Sequence, residues 1–229
     1  MTTTGLSQNR LLVMVFSRVA LFIPVMFVVI FLPAGTLAFW EGWLYLAVLL
    51  GPALAILPWM LKHSPDLLAN RMRMKEKART QQWVVSISGV FMVAAYVLPG
   101  FDFRWGWSDV SWPVVLAADG LVVLGYLLVI RVFQVNRFAS RVVEVRQAQT
   151  VIDTGPYAWV RHPMYTGTIL MYLASPVALG SYWAILPALL IVPVLAVRIL
   201  DEEALLHREL PGYTAYTARV RSRLFPGVW

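Results

Sequence analysis

RHPMYTGTILMYLASPVALGSYWAILPALLIVPVLAVR, residues 161–198, is the stretch that decides what kind of chain this is. Between His162 and Arg198 it carries no charged side chain. A helix crosses a hydrocarbon layer of about 30 Å with ~20 apolar residues. Residues 163–197 are too many for one crossing. Divided at Gly180–Ser181, they suffice for two short arms of about 17 residues each. The segment therefore predicts a tight helical hairpin over 163–199, bent by Pro176, Pro187 and Pro193. Membrane helices tolerate such prolines when neighbouring groups satisfy the freed carbonyls. Pro163 suits the first position of the first arm, where a missing N–H costs nothing.

The rest of the chain agrees with a membrane setting. Hydrophobic residues make up 59% of the 229 residues and charged residues 14%. A soluble domain carries about 25% charged residues. Mean hydropathy is +0.69. Too little polar surface remains to cover a water-soluble fold of this size. There are no cysteines, which excludes disulfides, thiolate catalysis and thiolate metal sites. His63, His162 and His207 stand apart without metal-ligand spacing, so no metal is expected. The net charge of +7 suits contact with anionic lipid, not nucleic acid.

Further crossings are expected at 12–33, 42–61, 82–99 and 112–130, giving an all-α polytopic membrane protein with about five to six transmembrane helices. Residues 11–33 are expected to be a retained span, because the apolar part is long for a signal peptide and no clean cleavage site follows. All of the 19 basic residues except Arg104 fall on one side of this arrangement. That set includes Arg71, Arg73, Lys75 and Lys77 after span 2, and Arg131, Arg141, Arg146 and Arg161 after span 4. The positive-inside rule makes that side cytoplasmic and puts both termini there, in a bacterial inner membrane or endoplasmic reticulum. On the other side, WEGW (40–43) and FRWGW (103–107) fit aromatic belt anchors.

Soluble chemistry is confined to residues 134–164 and the tail from 198. VVEVRQ (142–147) alternates weakly, as a short extended piece does, and Asp153-Thr154-Gly155-Pro156 is a turn. In the tail, Arg198 and Glu202 lie four apart on one helix face, as do Glu203 and His207. The second pair fits an ordinary surface ion pair, whereas the first stands where a helix leaves the membrane. A half-buried cation and carboxylate there are costly unless they contact something. The residue types suit a mixed-charge small molecule. A carboxylate such as Glu202 accepts from a sugar diol. The faces of Tyr157 and Tyr165 favour a sulfonium, and Arg198 or a protonated His162 favours an anion. Arg161 fits a topology signal, Trp159 a belt anchor, and Asn136 and Glu144 groups facing water.

TGPYAWVRHPMYTG (154–167), RILDEEALL (198–206) and GYTAYTARVRSRLFPGVW (212–229) together resemble the isoprenylcysteine carboxyl methyltransferase family, which has relatives that methylate phospholipid amines. The resemblance covers roughly residues 100–229 and implies an all-helical bundle with a cytoplasmic pocket for S-adenosylmethionine. No glycine-rich dinucleotide fingerprint after a strand competes with it. Residues 1–99 would then hold spans 1–3, and 100–229 a catalytic region with cofactor segment 134–164, hairpin and tail. By position the resemblance implies cofactor contacts from Gln149, Thr150, Val151, Ile152, Tyr157, His162, Pro163, Met164, Tyr165 and Glu202. It implies a catalytic set of Arg198, Glu202 and His162, with Arg198 facing a lipophilic or prenylated acceptor, most simply a carboxylate. The alternatives are a phospholipid or other small-molecule methyltransferase, an enzyme like the nicotinamide-dependent sterol reductases, and a small transporter or scaffold. A transporter should show ionisable residues near mid-bilayer, and only Asp119 approaches that.

Overall fold

The computed structural model describes residues 7–72, 79–145 and 148–229. Among them the chain forms eight α-helices and one 3-10 turn, with no strand. These are α1 (Gln8–Ala34), α2 (Trp40–His63), α3 (Pro65–Arg71), α4 (Arg79–Trp105), α5 (Trp112–Val135), the turn Gly155–Ala158, α6 (Pro163–Ala178), α7 (Ile185–Glu209) and α8 (Tyr213–Arg219). The all-α class is as expected. Arg73, Lys75, Lys77 and Arg146, named above for topology, lie outside the described residues, as does the end of the VVEVRQ piece. Its described part, 142–145, is irregular.

Among the described residues, four helices are long and apolar enough to cross a membrane: α1 from Asn9, α2, α4 and α5. Their outward side chains are apolar. Val13, Leu32, Val90 and Trp112 are each about two-thirds exposed or more. A water-soluble protein does not display such a surface over its whole girth, so these faces meet lipid. The helices overrun the spans read from hydropathy: α4 begins at Arg79 and ends at Trp105, not at 82 and 99. Hydropathy marks where lipid begins, whereas a helix continues wherever its backbone bonds can.

The hairpin forms, with unequal arms. α6 has 16 residues and α7 has 25. The apolar run of α7 stops at Val197, and the helix continues as a polar extension to Glu209. Gly180 turns the chain at φ +72°, a conformation that glycine adopts without penalty. Pro176 and Pro193 lie inside the arms, whereas Pro187 falls in the first turn of α7, where its missing N–H is harmless. Antiparallel order brings the start of α1, the end of α2, the start of α4, the end of α5, the start of α6 and the end of α7 to one cation-rich end.

Close approach of α5 and α6 positions everything at that end. A Cβ on Gly125 would stand 2.7 Å from the Gly167 carbonyl and 2.5 Å from Met171 Cγ. Small residues are how membrane helices approach each other. At the opposite end, Asp102 is buried and holds the hairpin turn. It accepts from Ser108 N at 2.6 Å, from the Ser108 hydroxyl at 2.7 Å and from the Ser181 hydroxyl. The loops there do more than anchor at the interface. Gly125→Val should force α5 and α6 apart and cost about 1–3 kcal/mol, the usual scale of overpacking. Thermal melting in detergent reads this directly. Gly89→Ala, where an added Cβ meets nothing within 4 Å, should melt close to wild type.

Candidate functional site

One cavity opens at the cation-rich end, between α6, α7, α8 and the segment 136–152. Counted out to its mouth, open solvent included, it spans about 880 Å³. Gln149, Thr150, Val151, Ile152, Tyr157, His162, Met164, Tyr165, Arg198 and Glu202 all line it. The structure thus gathers the residues singled out above into one wall, apart from Pro163. That residue is buried at the first position of α6 and does not face the space.

The floor is a polar relay. Arg198, buried, donates from Nε to Tyr165 Oη at 2.9 Å, and the same phenol donates to Glu202 Oε2 at 2.8 Å. Arg198 and Glu202 share a helix face as expected and are joined through the hydroxyl of Tyr165. Arg198 Nη1 donates to Gln81 Oε1 at 2.6 Å, and Nη2 to the Arg141 carbonyl at 2.6 Å. Gln81 Nε2 in turn donates to Asp201 Oδ2 at 2.6 Å. This fixes which way the Gln81 amide points. Sequence reading missed Gln81, although an uncharged amide at the start of a span is the kind of signal that marks a buried partner.

Beside the relay lies an ion cluster centred on Glu203. His162 Nε2 is 3.1 Å from Glu203 Oε1, and Arg223 Nε donates to Oε2 at 2.8 Å. Arg161 Nε stands 2.7 Å from Oε1 with its N–H out of line, so that contact is an ion pair and not a hydrogen bond. One expectation is corrected here. Glu203 does not pair with His207, which instead meets Thr214 Oγ1 at 3.2 Å. Arg161 also turns inward, its side chain largely buried against Glu203. The tail adds main-chain bonds, from Arg161 N to Ser222 O at 3.0 Å and from His162 N to Arg223 O at 2.9 Å. Burial alone would raise the Glu203 carboxyl. The hydrogen bonds from His162 and Arg223 and the charge of Arg161 outweigh it and hold the group at about 2. Glu203 is therefore a structural anion and no base.

The remaining wall is partly open main chain. Among the described residues, Thr150, Val151 and Ile152 make no hydrogen bond through their backbone N–H or C=O groups. Extended backbone with open donors and acceptors fits the edge of a nucleobase. Tyr157 is steadied from both sides: Asn136 Nδ2 donates to its hydroxyl at 2.8 Å, and Tyr216 Oη to its carbonyl at 2.8 Å. Asn136 thus faces Tyr157. Trp159 is exposed, as an interfacial anchor would be.

A family model described as phospholipid methyltransferase matches residues 114–210, which run from α5 through the cavity wall to the end of α7. A search of curated proteins returns no match. The match supports a membrane methyltransferase in general, the broader group related to the resemblance noted above.

Glu203 contributes stability as the anion. Its folded value lies below the ordinary 4.5, so this contribution is present above about 4.5 and is lost as pH falls towards about 2. Melting temperature should drop across that interval, and Glu203→Gln should flatten the drop. At neutral pH, Glu203→Ala leaves Arg161 and Arg223 without their counter-charge. It should cost about 3–5 kcal/mol, read as a lower melting temperature.

Proposed function

We propose that the chain is an integral membrane, S-adenosylmethionine-dependent methyltransferase acting on a lipid-borne acceptor, with cavity, termini and cation-rich end on the cytoplasmic side. The observation that carries this reading is the joining of Arg198, Tyr165 and Glu202 at the floor of a cavity with one open main-chain wall. The charge asymmetry supports the orientation. The hairpin arms α6 and α7 complete six crossings with the four long helices.

The donor set fits the cofactor. Glu202 has a second carboxylate oxygen beyond the one held by Tyr165, suited to a ribose diol. Thr150–Ile152 offer open backbone groups for an adenine edge, and Tyr157 offers a fixed aromatic face near a cationic centre. When bound, S-adenosylmethionine supplies an activated methyl group that passes by in-line displacement to a nucleophile. The chain's own contribution is alignment, which governs such reactions. Arg198, locked by Gln81, Tyr165 and the Arg141 carbonyl, keeps one orientation and presents a fixed positive charge to the acceptor side. His162, tied to Glu203, holds the start of α6 and with it Met164 and Tyr165.

Two acceptor groups suit the floor. A carboxylate of the isoprenylcysteine type is already nucleophilic and needs only Arg198 to orient it. A phospholipid amine must lose a proton, and Glu202 lines the cavity as an acceptor for it. The family match favours the phospholipid. Calorimetric titration of the purified protein with S-adenosylmethionine, S-adenosylhomocysteine and NADPH tests the class. Both adenosyl ligands should bind, and Glu202→Ala should weaken them by at least about tenfold, the scale of a lost hydrogen bond to a charged group. Binding of NADPH alone would move the chain to the reductase class.

A further inference from the structure

α8 carries two tyrosines, Tyr213 and Tyr216, which both line the cavity and are each 4% exposed. They belong to the GYTAYTARV run, residues 212–220, which takes no part in the relay or in the Glu203 cluster. Their hydroxyls differ. That of Tyr216 donates to the Tyr157 carbonyl at 2.8 Å. That of Tyr213 is closed to solvent and, among the described residues, has no hydrogen-bond partner. The Tyr213 ring is nevertheless held in place. It meets the His207 ring edge-on at 5.0 Å and lies 5.8 Å from the Tyr216 ring. Leu210, Leu206 and Val151 pack in the same cluster.

Native folds rarely leave a buried hydroxyl unmatched, because such a group gives up its bonds to water and gains none in return. A ring packed on several sides also cannot swing its hydroxyl back to solvent. Burial first, then the charges of Glu203 and Glu202, push the Tyr213 phenol well above its usual range. It stays protonated and is therefore a donor. The neighbouring wall supplies the complement. A Cβ on Gly212, next in the chain to Tyr213, would stand 3.9 Å from Val151 Cγ2. The start of α8 thus abuts the segment 150–152, whose main-chain groups are open. The adenine suited to that segment carries a donor at its amino group and acceptors at its ring nitrogens. A fixed phenol without an acceptor matches a base with ring nitrogens to fill.

We propose that Tyr213 is a binding residue of the cavity, whose hydroxyl donates to a ring nitrogen of the adenine of the methyl donor. The assignment rests on the methyltransferase reading and deepens it: α8, which lies beyond the matched residues 114–210, contributes a side chain to recognition of the donor.

The test titrates the full-length protein in detergent with S-adenosylhomocysteine and its 1-deaza, 3-deaza and 7-deaza analogues, each of which replaces one ring nitrogen by C–H. Melting of the ligand-free protein is recorded alongside. Tyr213→Phe should bind S-adenosylhomocysteine about three- to tenfold more weakly than wild type, the scale of one hydrogen bond. It should melt no lower than wild type, because the ligand-free fold loses no bond. Tyr216→Phe, which loses its bond to the Tyr157 carbonyl, should melt lower. One analogue should be weakened by a similar factor in wild type and less so in Tyr213→Phe, the signature of a direct contact between the two groups. Equal affinity of wild type and Tyr213→Phe for S-adenosylhomocysteine overturns the proposal. A Tyr213→Phe protein that melts lower than wild type, or does not fold, also overturns it, since the hydroxyl then serves the fold. If every analogue keeps the same ratio to the parent ligand in both proteins, the hydroxyl does not meet the base and that assignment falls. Wild type that binds no adenosyl ligand removes the methyltransferase reading and this residue's role with it. Wild type that binds while Tyr213→Phe binds equally removes only the role of Tyr213.

Discussion

One carboxylate, Glu203, holds the polar end of this molecule together. It lies against Arg161 and His162 at the start of α6 and against Arg223 in the tail. Burying Arg161 without it would leave an uncompensated charge, which is among the larger penalties a fold can carry. With it, the tail pairs its main chain to residues 161–162. The consequence reaches the neighbouring side chains. Successive residues on a helix point about 100° apart. Once Glu203 faces the ion cluster, the rotation of α7 is set, and Glu202 and Arg198 face the cavity instead. A structural ion pair thus decides where the polar groups of the site point.

The same helices are fixed at their other end and in their middle. Asp102 gathers Ser108 and Ser181 around the hairpin turn. Gly125 and Gly167 let α5 and α6 approach with no side chain between them. The cavity therefore stands on elements that are constrained along their whole length. Such support is what a site needs when its work is to align reactants and not to supply a reactive group.

The relay from Asp201 through Gln81, Arg198 and Tyr165 to Glu202 shows how a guanidinium and two carboxylates can coexist at a lipid boundary. Each charged group is separated from the next by a neutral amide or phenol whose donor and acceptor are both used. Networks of this kind are stable only when every member is satisfied. This one leaves Glu202 with an oxygen directed to the cavity, and Arg198 held in one orientation by partners on three separate segments.

Much of this was legible along the chain. The uncharged length of 163–197 dictated a hairpin, because lipid leaves the backbone no partner but itself. The alternation of basic and non-basic loops dictated which helix ends lie together. The i, i+4 spacing of Arg198 and Glu202 placed them on one face, and the run from Gln149 to Tyr165 was short enough to line one wall. Other features depended on residues distant in sequence. Glu203 and His207 have the same spacing as the first pair, yet Glu203 turns to Arg161 and Arg223 because the tail brings a second cation to it. Gln81 on α4 is separated from Arg198 on α7 by two helices. The sequence by itself determined the class of fold and the set of polar residues at the boundary, since lipid imposes those locally on each segment. Which carboxylate neutralises which cation was decided only by the packing of the helices, since an ion pair depends on distance in space and not on spacing along the chain.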